Sequence, residues 1–445
     1  MNKRPLEKQF GKYVAASMVT MLLTGFYAII DGFFVGQATG DAGLAAINIA
    51  WPITALIMAT GVGIGAGGAV LMSMRMGEHN ERLAALTRSN TLLSLAGASV
   101  LLTLVLKITF PGILKAFGAQ AEVYRLAMEY SNIIILGCGL QILGSGLMPL
   151  LRNQNKTTQA MVIMICGLIA NIILDYLLVM VFRMSLAGAA LATITAQGIT
   201  AALGLFFVFT DKQNKPKKSD FQADFRLIGK VLLTGISPFG LSLAPSVIIM
   251  FNNWQCLAYG GDTAVAAYAV LSYVIAPVQS LLAGIGDGVQ PLISFCSGAK
   301  QYASQRILRK KALLLAVFTG IVLAVAAVAA RNLLPILFGT SPQAAELIRH
   351  ALVITAPAFI FMGLVRVSSS YFYACGHQRL SLLLIYADPL LITPAILLTF
   401  PLFMGLDGIW ATLPAGQLLF SVMLIILFRH HQAELQKKEA KENER

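Results

Sequence analysis

Charge is scarce in this chain. Only 12% of its 445 residues are Asp, Glu, Lys or Arg, about half the share of a soluble domain. Mean hydropathy is +0.75, so a water-soluble fold is excluded. Histidine is equally thin. His79, His350, His377, His430 and His431 all fall at loops or ends, and none lies deep in an apolar run. The five cysteines, Cys138, Cys166, Cys256, Cys296 and Cys375, lack metal-ligand spacing and read as small packing residues with no disulfide framework. With no metal set and no nucleophile beside a base, neither an enzyme nor a membrane-embedded receptor is supported, and no metal or cofactor is expected. Short alternating segments are missing too, which excludes a β-barrel.

What the chain has is apolar length. Twelve segments reach about twenty residues or more, enough to span as helices: 12–38, 44–72, 84–110, 122–149, 158–182, 186–210, 228–258, 265–295, 309–331, 345–373, 379–404 and 407–428. Lys3, Arg4 and Lys8 resemble the charged start of a signal peptide. The run that follows is too long and has no small-residue cleavage site, so it reads as an uncleaved first span.

Net charge is +13, yet its distribution points away from nucleic acid. In the twelve-span scheme 26 of the 33 Lys and Arg fall at the termini and even-numbered loops. Six fall on the other side, and Arg366 falls within a span. That bias places both termini in the cytoplasm and supports an even number of spans.

The sequence also repeats itself. A shift of 221 carries Gly40-Asp41 onto Gly261-Asp262, Gly63, Gly65 and Gly67 onto Gly284, Gly286 and Gly288, and Phe117-Gly118 onto Phe338-Gly339. After one deletion Gly188 and Gln197 match Gly408 and Gln417. Each half therefore holds six helices entering the membrane the same way. Two lobes related by a parallel pseudo-two-fold axis are expected, with a substrate cavity between them. The expected division is an N-terminal lobe (1–210), a basic cytoplasmic linker (211–226), a C-terminal lobe (227–430) and a charged tail (431–445). The linker reads as a tether that lets the lobes rock. Glycines at 61–68 sit inside span two with no strand before them, so they serve close helix contact and not phosphate binding.

Against this apolar ground a few polar groups stand out. Asp31 lies in TGFYAIIDGFFVG (24–36), and an ionised carboxylate in hydrocarbon costs several kcal/mol or more. It either faces a bundle interior or reaches water at the helix end. Span five places Asn171 and Asp175 one turn apart on one face. Tyr130 and Thr193 fall at a comparable depth in spans four and six. These groups suit a hard cation such as Na⁺, and paired carboxylates also favour proton uptake. A polar plug with no bound ion is the alternative. In the second half Asp31 becomes Asn252, Tyr130 becomes Ala351 and Asp175 falls near Ile396. Arg366 and Asp388 stand at similar depth and read as a structural ion pair. Alternatively Asp287 or Asp388 lines the cavity, where Phe34, Met58, Trp254 and Tyr273 would supply aromatic and thioether contacts.

These residues bring a family into view. The chain resembles, over essentially its whole length, the multidrug and toxic compound extrusion (MATE) transporters, within them the MepA-like bacterial branch. DGFFVG (31–36), GDAGLAA (40–46), Pro52 and the GxGAG run leading to Arg75-Met-Gly77 carry the likeness. The resemblance implies a V-shaped all-α exporter in a bacterial plasma (inner) membrane, alternating its access as H⁺ or Na⁺ moves inward. It implies ion binding at Asp31, Asn171 and Asp175, with Tyr130 and Thr193 in matching positions. Members that couple through acids of helices seven and ten match less well, since Asn252 and Arg366 stand here. Span one also lacks the proline with which some members bend that helix. The expected function is therefore cation-coupled antiport of amphipathic, cationic organic compounds by a monomer in a lipid bilayer. A lipid-linked oligosaccharide flippase of the same superfamily is the alternative. It usually brings a cavity rich in Arg and Lys, and here only Arg366 is intramembrane. A major-facilitator carrier is disfavoured because SMRMGEHNERL after span two lacks that family's acidic-basic signature.

Overall fold

In hydrocarbon no water is present to pair with peptide groups, so a spanning segment must satisfy its own backbone, which a helix does. The computed structural model describes residues 3–116, 121–211 and 216–443, and among them the side chains of 3–6, 26–33, 36–42, 44–45, 48, 115–116, 121–122, 218 and 429–443 fall outside the description. The described residues are almost wholly helical. They form α1 (Lys3–Gly77), α2 (Glu81–Ala116), α3 (Ala121–Leu136), α4 (Cys138–Asn153), α5 (Thr157–Asp175), α6 (Ser185–Phe209) and α7 (Phe225–Gly298). There follow α8 (Tyr302–Ala329), α9 (Leu334–Leu337), α10 (Pro342–Thr355), α11 (Ala358–Ala374), α12 (Gln378–Ala387), α13 (Thr393–Met404) and α14 (Leu406–Asn443). Short π-helical turns, Tyr176–Val181 and Asp388–Ile392, continue α5 and join α12 to α13.

Among the described residues eight helices are long and apolar enough to cross a membrane, or ten when two bent pairs each count as one crossing. Eleven of the twelve expected segments map onto these, two of them onto α7, and 12–38 falls in α1 outside them. With 74 residues, α7 would extend about 110 Å, several times the roughly 30 Å hydrocarbon layer. It breaks at Gly261, whose φ of 61° and ψ of −159° are not helical. Expected spans seven and eight are its two halves. Expected spans one and two both fall within α1, and much of the first lies outside the described side chains.

The bends have local causes. A 58° bend separates α3 from α4 at Gly137, and a 52° bend separates α10 from α11. The second falls at Pro357, which has no N–H to donate to the preceding turn. A shift of 221 takes Gly137 to Ala358, the neighbour of Pro357, so both halves bend at the same place. Near Asp388 the helix widens because Pro389 has no N–H to give. The Thr393 N–H then reaches back five residues to the Asp388 carbonyl.

Two compact units result. The first comprises Val19–Leu243, the second Met1–Met18 with Ala244–Arg445. Neither divides at 211–226. The start of α1 groups with the second half of the chain, and the start of α7 groups with the first half. The glycine-rich run explains part of this. Along α1, Gly61 and Gly65 share a face that meets Ile142 and Gly146 of α4, while Gly63 and Gly67 meet Gly235 and Phe239 of α7. In the second unit Gly284 and Gly288 of α7 meet Met18 and Val14 of α1. The same shift of 221 carries one contact onto the other: Gly63 to Gly284, Gly67 to Gly288, Val14 to Gly235, Met18 to Phe239. Only glycine lets two backbones approach so closely.

The linker differs from its expected form. Its described part is no free tether but lies docked on the first unit. Buried Asn90 on α2 accepts from the Asp224 N–H at 2.9 Å and donates to the Gln222 carbonyl at 3.0 Å. Phe221 stacks on Phe209 with ring centroids 6.4 Å apart. Lys156 pairs with Asp211 at 3.0 Å, and Arg88 sits in the field of Asp220 and Asp211.

Replacing Gly65 by Ala would set a Cβ against the Gly146 backbone. We expect a loss of about 1–3 kcal/mol, seen as a lower thermal unfolding midpoint in detergent. Gly97 has nothing within 4 Å of such a Cβ, so Gly97→Ala is expected to be neutral or to gain up to about 1 kcal/mol. Equal midpoints for the two variants would contradict the close-contact role.

Candidate functional site

Polar side chains in these helices have a cheap local solution, which is to donate to the carbonyl one turn back. Down α2, Thr87, Thr91, Ser94, Ser99 and Thr103 all do so, at 2.7 Å each. On α6, Thr200 does the same toward Ala196 at 3.0 Å. Thr193, two turns earlier on that helix, does not. Its hydroxyl is buried with no hydrogen-bond partner among the described residues. Both amide atoms of Asn171, fully buried on α5, are likewise unpartnered among them.

Packing glycines fix how α5 and α6 run past each other. Gly167 of α5 meets Thr200 and Ala196, and eleven residues on Leu178 meets Gly188. The helices are antiparallel, and interpolating between these contacts sets Asn171 and Asp175 on either side of Thr193. All three are buried, Asp175 completely. Tyr130 is buried in the same apolar interior. It lies about two turns before Gly137, which abuts Ile194 of α6. The structure thus brings Asn171, Asp175 and Thr193 to one level and keeps Tyr130 in the same interior, further along α3. Asp31 falls on α1, and its side chain lies outside the described residues. An amide, a carboxylate and a hydroxyl at one level offer oxygen ligands to a hard cation, and the carboxylate also offers a proton acceptor.

A small cavity of about 50 Å³ opens within the first unit one turn from Asn171, lined by Thr20, Thr24, Met58, Met164, Gly167 and Gln197 among others. Met58, a candidate for the substrate cavity expected between the lobes, lines this cavity within the first unit. Thr20, Thr24 and Gln197 were not expected. The agreement of Gln197 with Gln417 across the repeat was the available signal. Phe34 packs on the core of the first unit. Trp254 and Tyr273 are half exposed or more, Tyr273 stacks on Phe338, and they line neither of the cavities within the two units.

The expected ion pair of Arg366 with Asp388 is not formed. The Asp388 carboxylate accepts from the Thr393 hydroxyl at 2.7 Å and from the Gln417 amide at 3.0 Å. The π-helical turn made by Pro389 brings Thr393 back onto it. Arg366 lies instead in the field of Asp287. Close contact of Gly286 on α7 with Ser370 and the Arg366 carbonyl on α11 puts those helices side by side there.

An unpartnered buried amide is costly, by about 1–3 kcal/mol. Asn171→Leu, of similar volume, is therefore expected to raise the unfolding midpoint while damaging function. A lower midpoint would show that Asn171 is held by structural bonds.

Comparison with known proteins agrees with this architecture. A family model described as MatE matches residues 16–177 and again 239–401. Two successive matches to one model are what the internal repeat requires. A protein named "Multidrug export protein MepA" from Staphylococcus haemolyticus (strain JCSC1435) is 26% identical over 426 residues, covering 92% of this chain and 91% of that protein. Its namesake from Staphylococcus aureus (strain MSSA476) is 24% identical, covering 96% and 94%. Among solved structures, "Crystal structure of MATE in complex with MaL6" superposes with a TM-score of 0.92 at 20% identity, covering 97% of each chain. A second, "Outward-facing conformation of a multidrug resistance MATE family transporter of the MOP superfamily", gives 0.89 at 20% identity with the same coverage. At these identities the structures speak for the fold.

Proposed function

The chain belongs to the MatE family, and on that premise we propose that it is a cation-coupled antiporter exporting amphipathic, cationic organic compounds by alternating access. Inward movement of H⁺ or Na⁺ through the first unit drives export. The observation that carries this reading is the common level of Asn171, Asp175 and Thr193, three oxygen-bearing side chains buried together, of which the Asn171 amide and the Thr193 hydroxyl have no hydrogen-bond partner among the described residues. Asp175 binds the proton or shares the Na⁺ with the amide and hydroxyl, and Asp31, in sequence two turns beyond Thr24, is its partner carboxylate. The export of multidrug substrates is what the names of the staphylococcal relatives support. The chain works as a monomer in a bacterial plasma membrane with both termini cytoplasmic, the side favoured by its Lys and Arg. A flippase would need intramembrane cations free for a pyrophosphate, and Arg366 lies in the field of Asp287.

The test is efflux of ethidium, a cationic aromatic dye, from proteoliposomes under an imposed Na⁺ gradient and then an imposed pH gradient. One gradient is expected to drive wild-type efflux. Asp31→Asn and Asp175→Asn are each expected to slow the driven rate at least about tenfold, a loss of about 1.4 kcal/mol or more. Asp388→Asn, away from the coupling level, is expected to retain it. Undiminished driven efflux in both first-unit variants would sink the reading.

A further inference from the structure

The second unit carries its own cavity, of about 80 Å³, between α7, α10 and α14. Asn252, the repeat counterpart of Asp31, lines it, so the place where the first half carries a carboxylate is here electrically neutral. None of its lining residues is charged. Tyr268 and Trp410, both buried, supply aromatic surface, leucines and isoleucines add apolar surface, and Ser272, Gln279 and Thr355 add neutral polar groups.

Two side chains of that wall, Ser272 and Trp410, have a buried polar atom with no hydrogen-bond partner among the described residues. The Trp410 ring is 2% exposed, and its Nε1–H has no hydrogen-bond partner among the described residues. Its backbone is held in place, since the Trp410 carbonyl accepts from the Thr355 hydroxyl at 3.4 Å. Asn252 is anchored likewise, donating its amide to the Ile248 carbonyl at 2.8 Å. An indole N–H can only donate, so it asks for an acceptor. Burying a cation here would leave its charge without a counter-charge, which is costly. A neutral ring with an oxygen acceptor meets both conditions, filling the apolar volume and capping the N–H.

We propose that this cavity is a binding site for a neutral aromatic molecule bearing a carbonyl or ether oxygen, which accepts the Trp410 N–H. The proposal deepens the export reading by naming a second class of passenger, and it rests on that reading only in calling the occupant a passenger. Binding is measured without any ion gradient. The site can therefore fail while coupled transport stands, and the reverse.

Benzophenone, a neutral diaryl ketone that crosslinks on illumination, serves as the probe. It is photolysed with the purified full-length protein in detergent, and adducts are mapped by peptide mass spectrometry. Adducts are expected to concentrate in 268–279 and 409–413. Trp410→Phe keeps a ring but loses the N–H. With the unfolding midpoint unchanged, it is expected to cut that yield about fivefold, the worth of one net hydrogen bond. Excess acetophenone should protect wild type, and diphenylmethane, which has no oxygen, should protect about fivefold more weakly. This competition uses wild type alone and holds even where the variant fails to fold. Equal protection by the two competitors, an unchanged yield in a folded Trp410→Phe, or labelling spread over outward-facing helices would each overturn the proposal.

Discussion

A polar group removed from water must find a partner, and in hydrocarbon the partners are few. That constraint dictates most of what this chain does. It makes the backbone helical, and it turns serine and threonine hydroxyls back onto their own helices, as along α2. The same pairing is absent among the described residues at Thr193 and Asn171, which share one level with Asp175. The two carboxylate environments divide on the same criterion. Asp388 is answered by Thr393 and Gln417 and so belongs to the framework. The level holding Asp175 has amide and hydroxyl atoms to spare.

Close approach is the second requirement, and glycine meets it. Gly61 and Gly65 on one face of α1, with Gly63 and Gly67 on another, let that helix touch α4 and α7 at backbone distance. The second half repeats the arrangement through Gly284 and Gly288. A duplicated bundle thus kept its packing scaffold and its bend while its polar chemistry diverged. The first half carries Asp31 where the second carries Asn252, and Asn252 lines a cavity with no charged wall.

Much of this was legible in the sequence because membrane folding writes in long apolar runs and in glycine spacing. The helical class, the repeat and the packing role of residues 61–68 all follow from such patterns, and so does the shared face of Asn171 and Asp175. Partner choice was harder to read. Depth along a helix suggested Arg366 for Asp388, but depth says nothing of azimuth. A proline-induced π turn brought Thr393 and Gln417 to that carboxylate instead. The linker misled for a related reason. Its composition, polar and proline-containing, fits a tether, while its docking uses partners elsewhere in the chain, buried Asn90 with Lys156 and Phe209, which no pattern in 211–226 announces. Trp410 was invisible as well, since an unpaired indole N–H is a fact of tertiary packing.

The central claim is that the Asn171, Asp175 and Thr193 level binds the coupling cation, and it can be measured without transport. Purified protein in detergent is titrated with Na⁺ by calorimetry, and proton release on adding ethidium is followed in weakly buffered solution. The account predicts one Na⁺ bound or one H⁺ released per wild-type chain, and neither in folded Asp175→Asn. Indistinguishable titrations for wild type and variant would contradict it.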